Sequence, residues 1–467
     1  MKKNTASGSS AEISFKRWSR QEYTQIKPGL ERITKFFKII SCEKIISSEK
    51  DGLLTIHIAG TNGKGSVASY IASILKEAGL KTGLYTSPHL VSLSERIKLN
   101  GKNIPPREIE KFFKTFAPRI RSSGMTFFET MTALAIIYFY RHNIDVAVME
   151  VGVGGRYDAT NICQNKALSV ITSISKDHTD LFGNNIRNIA REDIGIIKND
   201  VPVVAGKLNK LPGKIVSCNA CSKNSPAYFY GKNFISGNIR SDWKNLCQSF
   251  DYIEKKSDGK PAGFKLRNLK IRLMGNYQAR NAAIAVKSAL ILKNNRTEFS
   301  KNITTSAIKR GLLKTRWSAR FEVHRLRLGG ETKYLIIDGA HNEEAVSNFV
   351  SEYLKSPFYR MKTRIIFSSL KEKNHRAMAK LLSTIADEVI ITKVNSPRAQ
   401  EPSVIKSAFI KASQKSKRLL KENIHISYDI KSILKAGNTA TVTVAIGSLY
   451  LAGEILKLIK RGNHYGL

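Results

Sequence analysis

A glycine-rich octapeptide, Ala59-Gly60-Thr61-Asn62-Gly63-Lys64-Gly65-Ser66, follows an apolar run at 53–58 and opens a stretch of helical character reaching about Ala78. A strand that feeds a glycine loop and then a helix constrains the fold strongly. Strands alternating with helices build parallel sheets, and such a loop then lies at the C-terminal edge of its sheet. Glycines let successive backbone N–H groups converge on an anion, and the helix N-terminus adds its positive end. Lys64 has the reach for β- and γ-phosphates, and the Ser66 hydroxyl lies near a metal position. Gly60, Thr61, Asn62, Gly63, Lys64, Gly65 and Ser66 are therefore the candidate nucleotide contacts. The spacing departs from G-x-x-x-x-G-K-[ST], because Gly65 separates Lys64 from Ser66 and Gly60 precedes Gly63 by three residues. Taken alone, the segment also admits a plain strand-to-helix turn.

Between about 53 and 204 apolar runs alternate with helical periodicity, giving strands at 53–58, near 83–86, at 145–150 and at 168–172, with a helix near 129–141. Residues 207–272 are more polar and read as short antiparallel strands and loops ahead of a helix at 278–292. After Arg316-Trp317-Ser318-Ala319-Arg320-Phe321 the pattern resets into strands at 334–337, 364–367, 388–392 and 441–446. The expectation is an α/β protein: a P-loop-type parallel-sheet ATPase domain over 1–318, followed by a smaller Rossmann-like α/β domain over 319–467. A length of 467 residues exceeds one ordinary hydrophobic core and agrees with two.

The chain carries 77 Lys and Arg against 37 Asp and Glu, a formal charge of +40. Such a field suits polyanions, but the basic residues are spread along the whole chain with no nucleic-acid-binding module. A solvated basic surface that draws in small anionic substrates is the expectation, with no nucleic-acid partner. The first 20 residues are polar and basic, and no run of about 18 apolar residues occurs, so no membrane association is expected and the location is read as cytoplasmic. Five scattered cysteines argue for reduced thiols, and the Cys218/Cys221 pair lacks the partners of a structural zinc site.

Polar clusters recur where the predicted strands end: the glycine loop, Tyr85-Thr86-Ser87-Pro88-His89, Glu150-Val151-Gly152-Val153-Gly154-Gly155-Arg156-Tyr157-Asp158-Ala159-Thr160-Asn161, and Thr172-Ser173-Ile174-Ser175-Lys176-Asp177-His178-Thr179. Open parallel sheets bind ligands at this edge. The clusters resemble, in order, those of folylpolyglutamate synthase and dihydrofolate synthase within the Mur ligase superfamily. The likeness continues through Phe127-Phe128-Glu129, Asn276-Tyr277-Gln278, Arg320-Phe321-Glu322, Asp338-Gly339-Ala340-His341-Asn342, Pro397-Arg398-Ala399 and Gly447-Ser448-Leu449-Tyr450.

The resemblance implies ATP-dependent amide ligation through an acyl phosphate, joining L-glutamate to dihydropteroate or a folate. It implies Lys64, Glu150 and His178 as catalytic groups and Ser66, Ser87, Glu150 and His178 about Mg²⁺. Asn281, Arg320 and Asp338 become further nucleotide contacts, and His341 and Ser448 hold the incoming glutamate. Leu30, Phe128, Asp158 and Ala159 form the pterin-side pocket, which tilts the reading toward a bifunctional enzyme. The family is mostly monomeric. One departure stands out: where the family reads Glu-Lys-Ala-Gly with a carbamylated lysine, this chain reads Glu192-Asp193-Ile194-Gly195, so the expectation is either a weaker, water-bridged second metal site with Asp193 as a candidate ligand or a single essential Mg²⁺. Another is Ser318-Ala319-Arg320 in place of Pro-Gly-Arg, where the linker lacks glycine's freedom at φ > 0. The competing readings are another Mur-type amino-acid ligase and a non-catalytic basic binding protein on the same fold.

Overall fold

The computed structural model describes residues 27–177, 179–256, 261–294, 300–328, 331–435 and 440–462; His178 lies outside them. Eight strands form the first sheet: β1 (Thr55–Ala59), β2 (Thr82–Tyr85), β3 (Ile97–Leu99), β4 (Lys102–Asn103), β5 (Val146–Glu150), β6 (Lys166–Ile171), β7 (Val203–Ala205) and β8 (Ala227–Phe229). Their spatial order is β4-β3-β2-β5-β1-β6-β7-β8. All neighbouring pairs are parallel except β2/β3 and β3/β4. Strand β1 is central, which brings the glycine loop to the middle of the C-terminal edge.

Both faces of this sheet are covered, so its central strands read as unbroken apolar runs. In β5, Val146 and Val148 join the cluster beneath helix α1 (Lys64–Glu77), whereas Ala147 and Met149 face helix α2 (Phe127–Arg141). Helix α2 begins with a capping box in which Thr126 and Glu129 satisfy each other's backbone N–H groups.

The expectation of short antiparallel strands and loops over 207–272 needs revision. That stretch opens with a helix, Lys210–Ser222, followed by the parallel edge strand β8. Only then comes an antiparallel sheet, of strands β9 (Phe234–Asp242), β10 (Cys247–Lys255) and β11 (Pro261–Ile271). In β10 the buried positions are Gln248, Phe250 and Tyr252, every second residue. A sheet with one wetted face halves its apolar signal, and a polar Gln248 weakens it further. Helix α3 (Asn276–Asn294) packs against this sheet and α1.

The second sheet has the order β12-β13-β17-β14-β15-β16, from β12 (Glu322–Leu328), β13 (Glu331–Ile337), β14 (Thr363–Phe367), β15 (Glu388–Ile391), β16 (Ile424–Ile426) and β17 (Val442–Ile446). It is parallel apart from β12. Helices α4 (Glu343–Tyr353) and α5 (Leu449–Gly462) follow β13 and β17.

The linker between the sheets does require φ > 0, and a non-glycine residue supplies it: Ala319 sits at φ +57° and Phe321 at +45°. Ala319 is fully buried, its N–H donating to Glu322 Oε2 at 2.7 Å and its carbonyl accepting from Gly339 N at 2.9 Å. A left-handed alanine bears a cost of about 1–2 kcal/mol, held in place by these bonds. Ala319→Val, β-branched and crowded there, is expected to lower stability by about 2 kcal/mol or more, read as a lower urea midpoint.

Candidate active site

The glycine loop is held by the strand-end segment beside it. Thr61 N donates to Ser173 O at 2.8 Å, Asn62 N to Ser173 Oγ at 2.9 Å, and Thr61 Oγ1 to Ser175 O at 3.1 Å. Gly60 and Gly63 have φ of +125° and +88°, and a Cβ on Gly63 would come within 2.8 Å of Asn281 Oδ1. Gly65 has a different reason for lacking a side chain: a Cβ there would lie 2.8 Å from the Trp317 indole, which the linker lays against the first turn of α1. Lys64 Nζ donates to Gly60 O at 2.6 Å and Thr61 O at 3.2 Å, so its ammonium sits over the loop. Ser66 Oγ accepts from Gln278 Nε2 at 3.3 Å, and Asn281 Nδ2 donates to Gln278 Oε1 at 3.2 Å, tying α3 to the loop.

Glu150, at the end of β5, is buried, and its Oε2 accepts the Ser87 N–H at 3.1 Å. Burial pushes its carboxyl up to about 7, against the pull of Lys64, Arg320 and Arg96. Asp193 ends helix 186–193. It is buried, its Oδ2 has no hydrogen-bond partner among the described residues, and burial raises it to about 8, with Lys64 opposing and Glu192 adding to the rise. Glu150 and Asp193 are both buried in the field of Lys64 without a bonded cation among the described residues, and their oxygens, like those of Ser66 and Ser87, are hard donors of the kind Mg²⁺ takes. Among the described residues no cluster of three or more His, Cys, Asp or Glu is assembled.

The glycine loop, Ser87 and Glu150 face a cavity of about 410 Å³ lined from both sheets. At one end lie Phe128, Asp158 and Ala159. A Cβ on Gly152 would meet the Phe128 ring at 2.5 Å, so ring and loop are in close contact. Leu30 does not line this cavity, contrary to expectation: it caps helix 31–39 and packs on the cluster beneath, while its neighbours Pro28 and Gly29 reach the wall. Asp193 also lies outside the lining, behind the 152–156 loop.

From the second sheet come Arg320, Asp338, His341 and Ser448. Asp338 Oδ2 accepts Phe321 N at 2.7 Å and its Oδ1 accepts Ala340 N at 2.8 Å. Asp338 thus bonds backbone and, at 3.5 Å, the Tyr277 hydroxyl rather than Arg320, whose guanidinium donates to Ala319 O at 2.7 Å. His341 Nδ1 bonds Gly339 O at 2.8 Å, and burial, with Lys373 next, lowers the imidazole to about 4. The helix cap is Asn342, which leaves His341 to the cavity.

Residues passed over in the sequence complete the seam between the sheets. Lys373 pairs with Asp177 in a buried ion pair, and Asn342 Nδ2 donates to Asp177 Oδ2 at 3.1 Å and Asn62 Oδ1 at 3.0 Å. Asn62 Nδ2 reaches Glu344 Oε2 at 2.8 Å. Lys373 follows predicted strand 364–367, a position that could have flagged it. Tyr277, of the Asn276-Tyr277-Gln278 motif, is half-buried and donates its hydroxyl to Asp338 Oδ2 at 3.5 Å.

The Mur ligase middle domain pattern matches residues 58–289, and the Mur ligase glutamate ligase domain matches 319–445. The dihydrofolate synthase/folylpolyglutamate synthase of Bacillus subtilis is 31% identical over 447 residues, 93% of this chain and 96% of that protein. The chain belongs to the folylpolyglutamate synthase/dihydrofolate synthase family of Mur ligases. Solved structures of the family agree. Thermotoga maritima folylpolyglutamate synthase matches at 30% identity and a TM-score of 0.76 over 96% of this chain and 97% of its own. The Mycobacterium tuberculosis folylpolyglutamate synthase complexed with ADP and AMPPCP matches at 25% identity and a TM-score of 0.80, over 96% and 98%. The α/β architecture is therefore the family's. Among the described residues, no helix is long and apolar enough to cross a membrane.

Proposed function

We propose that this chain is an ATP-dependent ligase that joins L-glutamate to dihydropteroate and to reduced folates, a bifunctional dihydrofolate synthase/folylpolyglutamate synthase. The observation that carries the reading is one cavity that unites the glycine loop, the buried Glu150 carboxylate, Phe128 and the His341/Ser448 pair. The domains divide at 318/319, and the protein acts as a cytoplasmic monomer.

The substrate carboxylate attacks the γ-phosphorus of ATP, ADP leaves, and an acyl phosphate forms. The glutamate amine then attacks the acyl carbon and phosphate departs, so an oxygen that leaves poorly is exchanged for one that leaves well. The loop N–H groups and Lys64 hold the phosphates, and Arg320 brings a second positive charge from the linker. Asn281 and Asp338 contribute to nucleotide binding, Phe128 and Ala159 to the pteroyl end, and His341 and Ser448 to glutamate. A neutral His341 is suited to receive a hydrogen bond from the ammonium of glutamate. Ser66, Ser87, Glu150, His178 and Asp193 would hold Mg²⁺, which when bound neutralises phosphate charge. The basic surface favours capture of these anionic substrates.

Phosphate release that needs dihydropteroate or a folate together with glutamate and ATP is the expected result. Release driven instead by a nucleotide-linked muramyl acceptor, or none at any Mg²⁺ concentration, overturns the proposal. Asp193→Asn is expected to raise the Mg²⁺ needed for half-maximal activity by about 10-fold. An unchanged Mg²⁺ dependence removes Asp193 from the metal site.

A further inference from the structure

A chain of buried polar side chains runs from the interior of the first sheet to the Phe128 end of the cavity, and nothing in the reaction above uses it. Thr160 Oγ1 donates to Asp158 Oδ1 at 2.5 Å and therefore accepts from His57 Nε2 at 2.7 Å. That assignment leaves His57 Nδ1 as the acceptor for Lys166 Nζ at 2.6 Å. Burial first, then the Lys166 and Lys198 charges, keep the imidazole well below its usual range, which agrees with a neutral ring that donates on one side and accepts on the other. Lys166 also donates to Asn161 Oδ1 at 2.6 Å, and Asn161 Nδ2 holds Arg156 O at 3.0 Å and Gly195 O at 3.2 Å. The three bonds from Lys166 to His57, His57 to Thr160 and Thr160 to Asp158 all run the same way, an arrangement in which each bond polarises the next.

Asp158 receives this chain and spends itself on backbone. Its Oδ2 accepts the N–H groups of Gly152 and Val153, both at 3.0 Å, and its Oδ1 accepts Thr160 N at 3.0 Å besides the Thr160 hydroxyl. Four donors fill the lone-pair directions of a carboxylate. Asp158 is thus a clasp on the 152–153 turn, the turn whose Gly152 lies against the Phe128 ring.

We propose that Lys166, His57 and Thr160 are positioning residues that fix Asp158 against the 152–153 turn, and so set the shape of the cavity end that selects the pteroyl group. This rests on the assignment of that end to the pteroyl group. The chain acts on substrate fit and leaves the phosphate loop untouched, because its one point of contact with the cavity is Asp158.

The test measures KM for dihydropteroate and for ATP in four variants, with thermal unfolding alongside. His57→Leu and Lys166→Met each break the chain and are expected to raise KM for dihydropteroate by about 10-fold while KM for ATP stays within about twofold. His57→Gln, which still carries one donor and one acceptor, is expected to restore most of the loss. Phe128→Ala tests the pocket itself and is expected to raise the same KM. Unchanged dihydropteroate KM in His57→Leu and Lys166→Met, with Phe128→Ala raised, overturns the relay and leaves the pocket standing. Unchanged KM in all of them overturns both. Equal rises for ATP and dihydropteroate with a lowered melting temperature, or no rescue by His57→Gln, would reduce the chain to core packing and overturn the proposal.

Discussion

Glu150→Gln is expected to lower kcat/KM by about 10²–10³-fold, the scale of losing one preorganised charge stabiliser at a phosphoryl-transfer site. The amide keeps the length of the side chain and can still accept the Ser87 N–H, so the loss isolates the negative charge. The same variant should gain stability at alkaline pH. Glu150 rises to about 7 in the folded chain from an ordinary 4.5, so the folded state holds a proton that the unfolded state has released. Stability therefore falls as pH climbs from about 4.5 to 7, and Asp193, raised to about 8, extends the fall. Urea midpoints measured without Mg²⁺ should decline across this window, decline less in Glu150→Gln, and recover on adding Mg²⁺ at pH 8. A midpoint that rises with pH, or a variant as active as the parent, would remove Glu150 from the role assigned to it.

The second large effect concerns Lys373. Lys373→Met removes the Lys373 ammonium from its buried pair with Asp177, in a place where both partners are 7% exposed. Taking one member from a buried pair typically costs about 3–5 kcal/mol. The loss falls between the two sheets, since Asp177 belongs to the first and Lys373 follows β14 of the second, so activity should drop with stability. Combining Lys373→Met with Asp177→Asn is expected to recover stability, because no charge remains buried there. If the single variant matches the parent in urea midpoint, or the double variant is no better than the single, the pair does not hold the seam.

How much of this was legible follows the burial of each segment. The central strands β1, β5, β6, β14 and β17 are covered on both faces, so each left an unbroken apolar run in the sequence. The edge strands β12 and β16 and the sheet β9–β11 are wetted on one face, and their alternation was diluted by residues such as Gln248. At the site, the residues on strand ends and loops could be named because motif and position agreed, and Gly63, Lys64, Glu150, Phe128 and Ser448 do face one cavity. Leu30 was named by resemblance alone, and its place at the head of helix 31–39, packed on the core beneath, carries no periodic signal in the sequence. The His57–Lys166 chain was invisible for a similar reason. Its members are 109 residues apart and meet only because β1 and β6 pair.

Gly65 and Trp317 bear on how this enzyme can be watched at work. The indole lies against Gly65 in the first turn of the phosphate loop's helix and has the Lys98 ammonium 5.2 Å from its ring centre. It stands three residues before Arg320, on the segment joining the two halves. With Trp18 and Trp243 replaced by phenylalanine, the light emitted by Trp317 becomes an intrinsic optical signal for phosphate arrival and for any swing of one half against the other, with no dye attached.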